Sequence, residues 1–255
     1  MTYNYLQTLK YYATWLDIPV SRFDEKGIVL IETEKRHICP KGHPRNLEMY
    51  CAAFPDSLFI SFSQELNKVI HFEKTFNQFI NVTEGIGKLN ELFSDKLKHR
   101  KAHYYTVLPE NVDLSKAIKL TKDQNDDYYA FFIAQNPNAS PDGWLDDYYL
   151  KLVENNRCYG VYEDGILVSV TGAPDIPFME GIITEPGIDT LIPYRNKGYA
   201  LAVCTKYLQY ALSKNEVPIW TCWHNNVASY KLAEKLGYEY LCDLFTVEGV
   251  ISNCN

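Results

Sequence analysis

The chain has 255 residues, 46 % of them hydrophobic, which is room for one large domain or two ordinary ones around a substantial core. Lys and Arg number 25 against 32 Asp and Glu, a net charge of −7. That balance excludes generic electrostatic binding of nucleic acid or of an anionic membrane, while leaving room for a local basic pocket.

The first residues, MTYNYLQTLKYYATWL, lack the basic-then-apolar layout of a secretory signal. The longest apolar run, 128–134, is far too short to span a bilayer. The seven cysteines are Cys39, Cys51, Cys158, Cys204, Cys222, Cys242 and Cys254. The expectation is a reducing, cytoplasmic protein whose thiols are mostly core residues.

Residues 27–32 and 57–63 read as short strands, 63–80 and 86–98 as helices, and 103–108 as a strand. Within this region His37, Cys39 and His43 lie in RHICPKGHPR, with Cys51 further on. No CxxC pair accompanies them, so a polar turn around Pro40, Lys41 and Gly42 is preferred to a metal site. A polar, proline-bearing link at 108–113 is the expected seam between an N-terminal α/β accessory domain, 1–110, and a second domain, 111–255.

Beyond the seam the pattern is clearer. Segments 121–135 and 142–154 read as helices. In RCYGVYEDGILVSVTG two β-rich runs flank Asp164-Gly165, the strongest short hairpin signal. A strand over 181–191, interrupted at Glu185-Pro186-Gly187, leads into a helix over 199–213 with Leu201, Cys204, Leu208 and Leu212 at helical spacing. A buried-type strand at 217–223 and a helix at 226–236 follow, with Gly237 where a left-handed terminal residue belongs. Residues 241–250 read as one or two strands. Strand–helix–strand order demands right-handed crossovers, and the hairpin adds antiparallel pairing, so the fold class is α/β with a mixed sheet.

The segment IPYRNKGYA, 192–200, joins the strand at 188–191 to its helix. A helix start carries unpaired amides and the positive end of the macrodipole, and so favours an anion. Gly198 lets the backbone approach that anion, Ala200 keeps the helix start thin, and Arg195 and Lys197 add positive charge. A diphosphate is the natural guest. Neither GxxxxGK[ST] nor GxGxxG is present, so the two best-known phosphate loops are not supported.

The R-x-x-G-x-A of Arg195 to Ala200, with Thr190 five residues before Arg195, resembles the acetyl-CoA loop of the GNAT superfamily of N-acyltransferases. The run N-x-x-S-x-x-L-A-E-K-L-G-Y from Asn226 to Tyr238 resembles that family's second coenzyme segment. Together the two stretches are specific. Residue-level similarity is confined to about 185–238, the order of elements extends it to about 118–250, and the first hundred residues match no motif.

The resemblance implies a GNAT-like acyl-CoA N-acyltransferase fold. In it, two splayed strands, 188–191 and 217–223, admit pantetheine like an added strand. Ile188, Thr190, Arg195, Asn196, Lys197, Gly198, Tyr199, Ala200, Asn226 and Ser229 are the implied coenzyme-binding residues. Acetyl-CoA is the implied cosubstrate, with no metal.

Amine attack on a thioester needs aligned substrates, a base and an acid. Glu185 is the candidate base, with Asp189 an alternative four residues on. Many family members carry a tyrosine acid where this chain has Ala233, so Tyr230, one turn earlier, is the candidate acid, with Ser229 or water as alternatives.

The function expected is transfer of an acetyl group from acetyl-CoA to a small-molecule or protein amine, with no nucleic-acid or membrane partner. The acidic surface favours a cationic acceptor. The rival expectation is a non-catalytic acyl-CoA-binding module. A homodimer stays open.

Overall fold

The computed structural model describes residues 1–249; the expected strand end at Val250 and the thiol of Cys254 lie outside the described residues. Helix α1, Tyr3–Leu16, starts at Thr2, whose hydroxyl accepts from the Tyr5 amide, and ends where Asp17 turns left-handed at φ 61°. Strands β1 (Gly27–Glu32), β2 (Leu47–Phe54) and β3 (Ser57–Phe62) follow, then helices α2 (Gln64–Ile70), α3 (Phe72–Phe76) and α4 (Val82–Phe93), and strand β4 (Lys98–Tyr105).

The second half adds β5 (Ala117–Lys119), α5 (Asn125–Gln135), α6 (Leu145–Glu154), β6 (Tyr159–Glu163), β7 (Ile166–Gly172), β8 (Ile183–Thr184) and β9 (Gly187–Thr190). It closes with α7 (Tyr199–Ser213), β10 (Val217–Trp223), α8 (Val227–Lys235) and β11 (Tyr238–Glu248).

Several expectations are corrected. The helix expected over 63–80 breaks in two, because His71 sits at φ 53° and its amide closes α2. The second helix begins earlier than expected, at Val82, where Asn81 caps it through the Glu84 amide. Strand β4 accordingly starts at Lys98 rather than at 103. Helix α1 and strand β2 lacked any reading. The expected strand over 181–191 is two strands with different partners: β8 pairs parallel to β10, whereas β9 pairs antiparallel to β7. The hairpin turn is as expected, with Asp164 and Gly165 both at positive φ, 53° and 78°.

The strands form a seven-stranded sheet in the order β1-β3-β2-β11-β4-β10-β8 and a four-stranded sheet in the order β5-β6-β7-β9. The link at 108–113 does not divide the larger sheet, since β11 lies between β2 and β4 and pairs with both along most of its length. Gly237, at φ 85°, opens β11. Any Cβ there would meet the Val107 carbonyl oxygen at 1.7 Å, so only glycine permits this approach.

Side chains alternate along β10, and the alternation assigns its two faces. Ile219 joins α1 residues Leu9, Tyr12 and Leu16 in one core; Trp220 joins Val203 and Tyr207 of α7 and Ala233 of α8 in another. Helix α1 therefore covers one face of the sheet at β10, and α7 and α8 cover the other. Cys51, Cys158, Cys204, Cys222 and Cys242 are free and buried.

Candidate active site

Strands β9 and β10 belong to different sheets, and the gap between them organises the site. The parallel ladder between β8 and β10 has two residue pairs, Val217 with Ile183 and Pro218 with Thr184. Amides four apart on a strand point the same way. The Val217 amide meets the Ile182 carbonyl at 2.7 Å, while the Thr221 amide meets no strand and donates instead to Oε1 of Glu185 at 2.6 Å. The Glu185 carboxylate thus stands where the next stretch of strand would be. Pro186 follows it and withholds an amide.

From the other end, β9 runs through residues 192–194 into a loop where Asn196 (φ 62°) and Gly198 (φ 84°) are both left-handed. Gly198 is the N-cap of α7, and no side chain caps that helix. A Cβ at Gly198 would meet no atom within 4 Å, so the space beside the start of α7 is open. Helix α8 differs: the Asn226 side chain accepts from the Ser229 amide at 3.1 Å and caps it.

The two stretches share one cleft of about 500 Å³. Of the predicted residues, Ile188, Thr190, Arg195, Asn196, Gly198, Tyr199, Ala200, Asn226 and Ser229 line it, and so does Asp189, the alternative base. Arg195 is held in place by its Nε, which donates to the Thr190 carbonyl at 3.0 Å. Ser229 accepts from the Trp220 indole at 3.1 Å.

Three predicted residues lie elsewhere. Lys197 is not among the lining residues and pairs with Glu163 on β6 at 3.0 Å. Tyr230 is also outside the lining, its ring 4.9 Å beneath the Lys101 ammonium. Glu185, between β8 and β9, is not among the lining residues, and its carboxylate meets the Thr221 amide of β10. Lys231 and Lys235 do line the cleft and had no expected role. Their i,i+4 spacing on α8, with Ala228 on the same face, was the available signal.

Burial pushes the Glu185 carboxyl up to about 7, against the opposing pull of the Thr221 hydrogen bonds and, more weakly, of Arg100. A carboxyl poised near neutrality takes a proton reversibly at physiological pH. Ala233 is fully buried against α7, so the usual tyrosine position is filled by core.

The residues present suit a diphosphate-bearing acyl-CoA. The α7 amides are uncapped, Gly198 leaves the approach open, and Arg195, Lys231 and Lys235 supply positive charge around it. The fold and cleft together resemble the GNAT architecture. Residues 151–244 match the GNAT acetyltransferase family model, and the C-terminal part of the chain has the GNAT resemblance that its two motifs imply.

One solved structure agrees on the fold. A GNAT-family acetyltransferase from Colwellia psychrerythraea is 18% identical, with a TM-score of 0.52, over 65% of this chain and 62% of that one. A GNAT-family protein from Novosphingobium aromaticivorans is 20% identical, with a TM-score of 0.47, over 59% of this chain and 63% of that one. The chain thus spans less than two thirds of the length of either. No curated protein matches the chain. Among the described residues, no group of three or more His, Cys, Asp or Glu side chains is arranged to hold a metal, and no helix is long and apolar enough to cross a membrane.

Proposed function

We propose that the protein transfers an acetyl group from acetyl-CoA directly to an amine. The observation that carries this reading is the single cleft lined jointly by residues of 188–201 and 226–235, with the Glu185 carboxyl bonded to the Thr221 amide of β10. In this reading the uncapped α7 amides and Arg195 hold the pyrophosphate, and Lys231 and Lys235 add charge along α8. Bound acetyl-CoA would supply the thioester that the amine attacks.

Glu185 takes the proton that the amine loses as its nitrogen bonds to the acyl carbon and the carbon–sulfur bond breaks. The thiolate leaves with the electron pair and is protonated from solvent, since a thiol is acidic enough to need no dedicated donor. Amides near Thr190 stabilise the developing oxyanion. The acceptor is a small-molecule or protein amine, and the negative net charge favours a cationic one.

Free-thiol release from acetyl-CoA, offered a panel of polyamines, amino sugars and lysine peptides, tests the reading. Release above background with at least one amine is expected. Intact acetyl-CoA binding with a flat thiol signal would favour the second reading, a non-catalytic acyl-CoA-binding module. Two observations lend that reading its weight: the tyrosine position is the buried Ala233, and the Tyr230 ring is occupied by Lys101.

A further inference from the structure

The face of the strand gap opposite α7 and α8 is covered by α1, from the part of the chain that matches no motif. Tyr12 of α1 is 1 % exposed, and its hydroxyl lies 3.5 Å from the Thr221 hydroxyl. A buried tyrosine hydroxyl seeks a partner, and Thr221 is the one it reaches. Thr221 is also the residue whose amide grips the Glu185 carboxylate at 2.6 Å. Tyr11, edge-on to Tyr12 with ring centroids 5.3 Å apart, packs in the same core. A chain of contacts therefore runs from α1 through β10 to the carboxylate.

We propose that Tyr12 is a positioning residue for Glu185, acting through Thr221, so that the N-terminal helix sets the proton-accepting group on the acceptor side of the gap. The proposal rests on the reading of Glu185 as the base. Tyr12 fixes the Thr221 side chain. Thr221, so fixed, holds the ionised carboxylate through its side chain as well as its amide. The other groups that face Glu185 are Tyr11 from α1, Arg100 from β4, Tyr207 from α7, Cys222 from β10 and Tyr238 from β11. Tyr12 differs from all of these in touching the residue that donates to the carboxylate.

The test titrates Glu185 itself by carbon-13 NMR of carboxyl-labelled glutamate in the full chain, the signal being assigned by its loss in Glu185→Gln. Tyr12→Phe removes one oxygen and keeps the ring. Its Glu185 midpoint should rise by about half a pH unit, as expected for a weakened hydrogen bond to a carboxylate. Thr221→Val should give the same rise, and the double variant no more than either single one. The acid limb of kcat/KM for thiol release should move up with it, while acetyl-CoA affinity stays unchanged.

A purely structural role would lower thermal stability and leave the midpoint where it is; that result overturns the proposal. If Tyr12→Phe does not fold, a Thr221→Val midpoint equal to wild type overturns it instead. Because the titration needs no donor, failure of wild type to bind acetyl-CoA sinks the acyl-transfer reading separately, without disturbing this measurement.

Discussion

The two sides of the strand gap are built in opposite ways. The proposed coenzyme side is made from two short contiguous stretches, each a strand end, a turn and the first turns of a helix, which offer backbone amides. The side covered by α1, proposed for the acceptor, is made from single side chains brought together over long separations, as with Tyr12 and Thr221, 209 residues apart. A site of amides tolerates sequence drift while a few glycines and caps persist. A site of distant side chains has no local signature. The cleft's loop and caps leave a mark in the sequence, and the distant side-chain contacts leave none.

The contrast is sharpest under substitution. Glu185→Gln keeps an oxygen for the Thr221 amide and removes the proton acceptor. Turnover should fall by about 10²- to 10³-fold, with acetyl-CoA affinity unchanged. Steady-state thiol release and equilibrium binding check the two halves of that statement. A parallel loss of affinity would mean that the two sides are not separable.

On the coenzyme side, Arg195→Ala, or Lys231→Ala with Lys235→Ala, should weaken acetyl-CoA binding by roughly tenfold for each charge removed and leave kcat at saturation nearly intact. The weakening should shrink as salt rises. Lys197→Ala should matter less than Arg195→Ala, because the Lys197 ammonium is paired with Glu163.

Stability against pH offers a smaller signal with a definite sign. Burial raises the folded Glu185 carboxyl to about 7 from its ordinary 4.5, so between these pH values the folded state holds more protons than the unfolded state. This residue's contribution to stability therefore falls as pH rises from about 4.5 to about 7 and is level outside that window. Glu185→Gln should lack that fall. Chemical denaturation at several pH values should show the variant gaining on wild type across the window. The smallest effect is expected at Tyr230→Phe: the ring stays under Lys101 and lies outside the cleft, so turnover should stay within about twofold.

Legibility in the sequence follows the same division. Asp164-Gly165, Gly198 and Gly237 were readable because a left-handed backbone leaves a residue-type mark. Strand β2 was not, since its sequence LEMYCAAF is buried on both faces and carries no alternation. Helix α1 had an aromatic-rich pattern with Pro19 just beyond its end, but the left-handed residue that closes it is Asp17 rather than a glycine. Lys197 looked equivalent to Arg195 as a charge, but its side chain reaches the β6–β7 hairpin instead. Tyr230 had the right residue type near the right position, yet its ring packs toward β4.

The central claim is that the loop at Arg195 to Ala200 and the Asn226 helix make one acetyl-CoA site. Titration calorimetry of acetyl-CoA against wild type, Glu185→Gln and Gly198→Trp tests it most directly. Wild type and Glu185→Gln should bind alike, and Gly198→Trp should show no measurable binding while remaining folded by circular dichroism, its indole filling the open space before α7. Binding by Gly198→Trp equal to wild type would contradict the account.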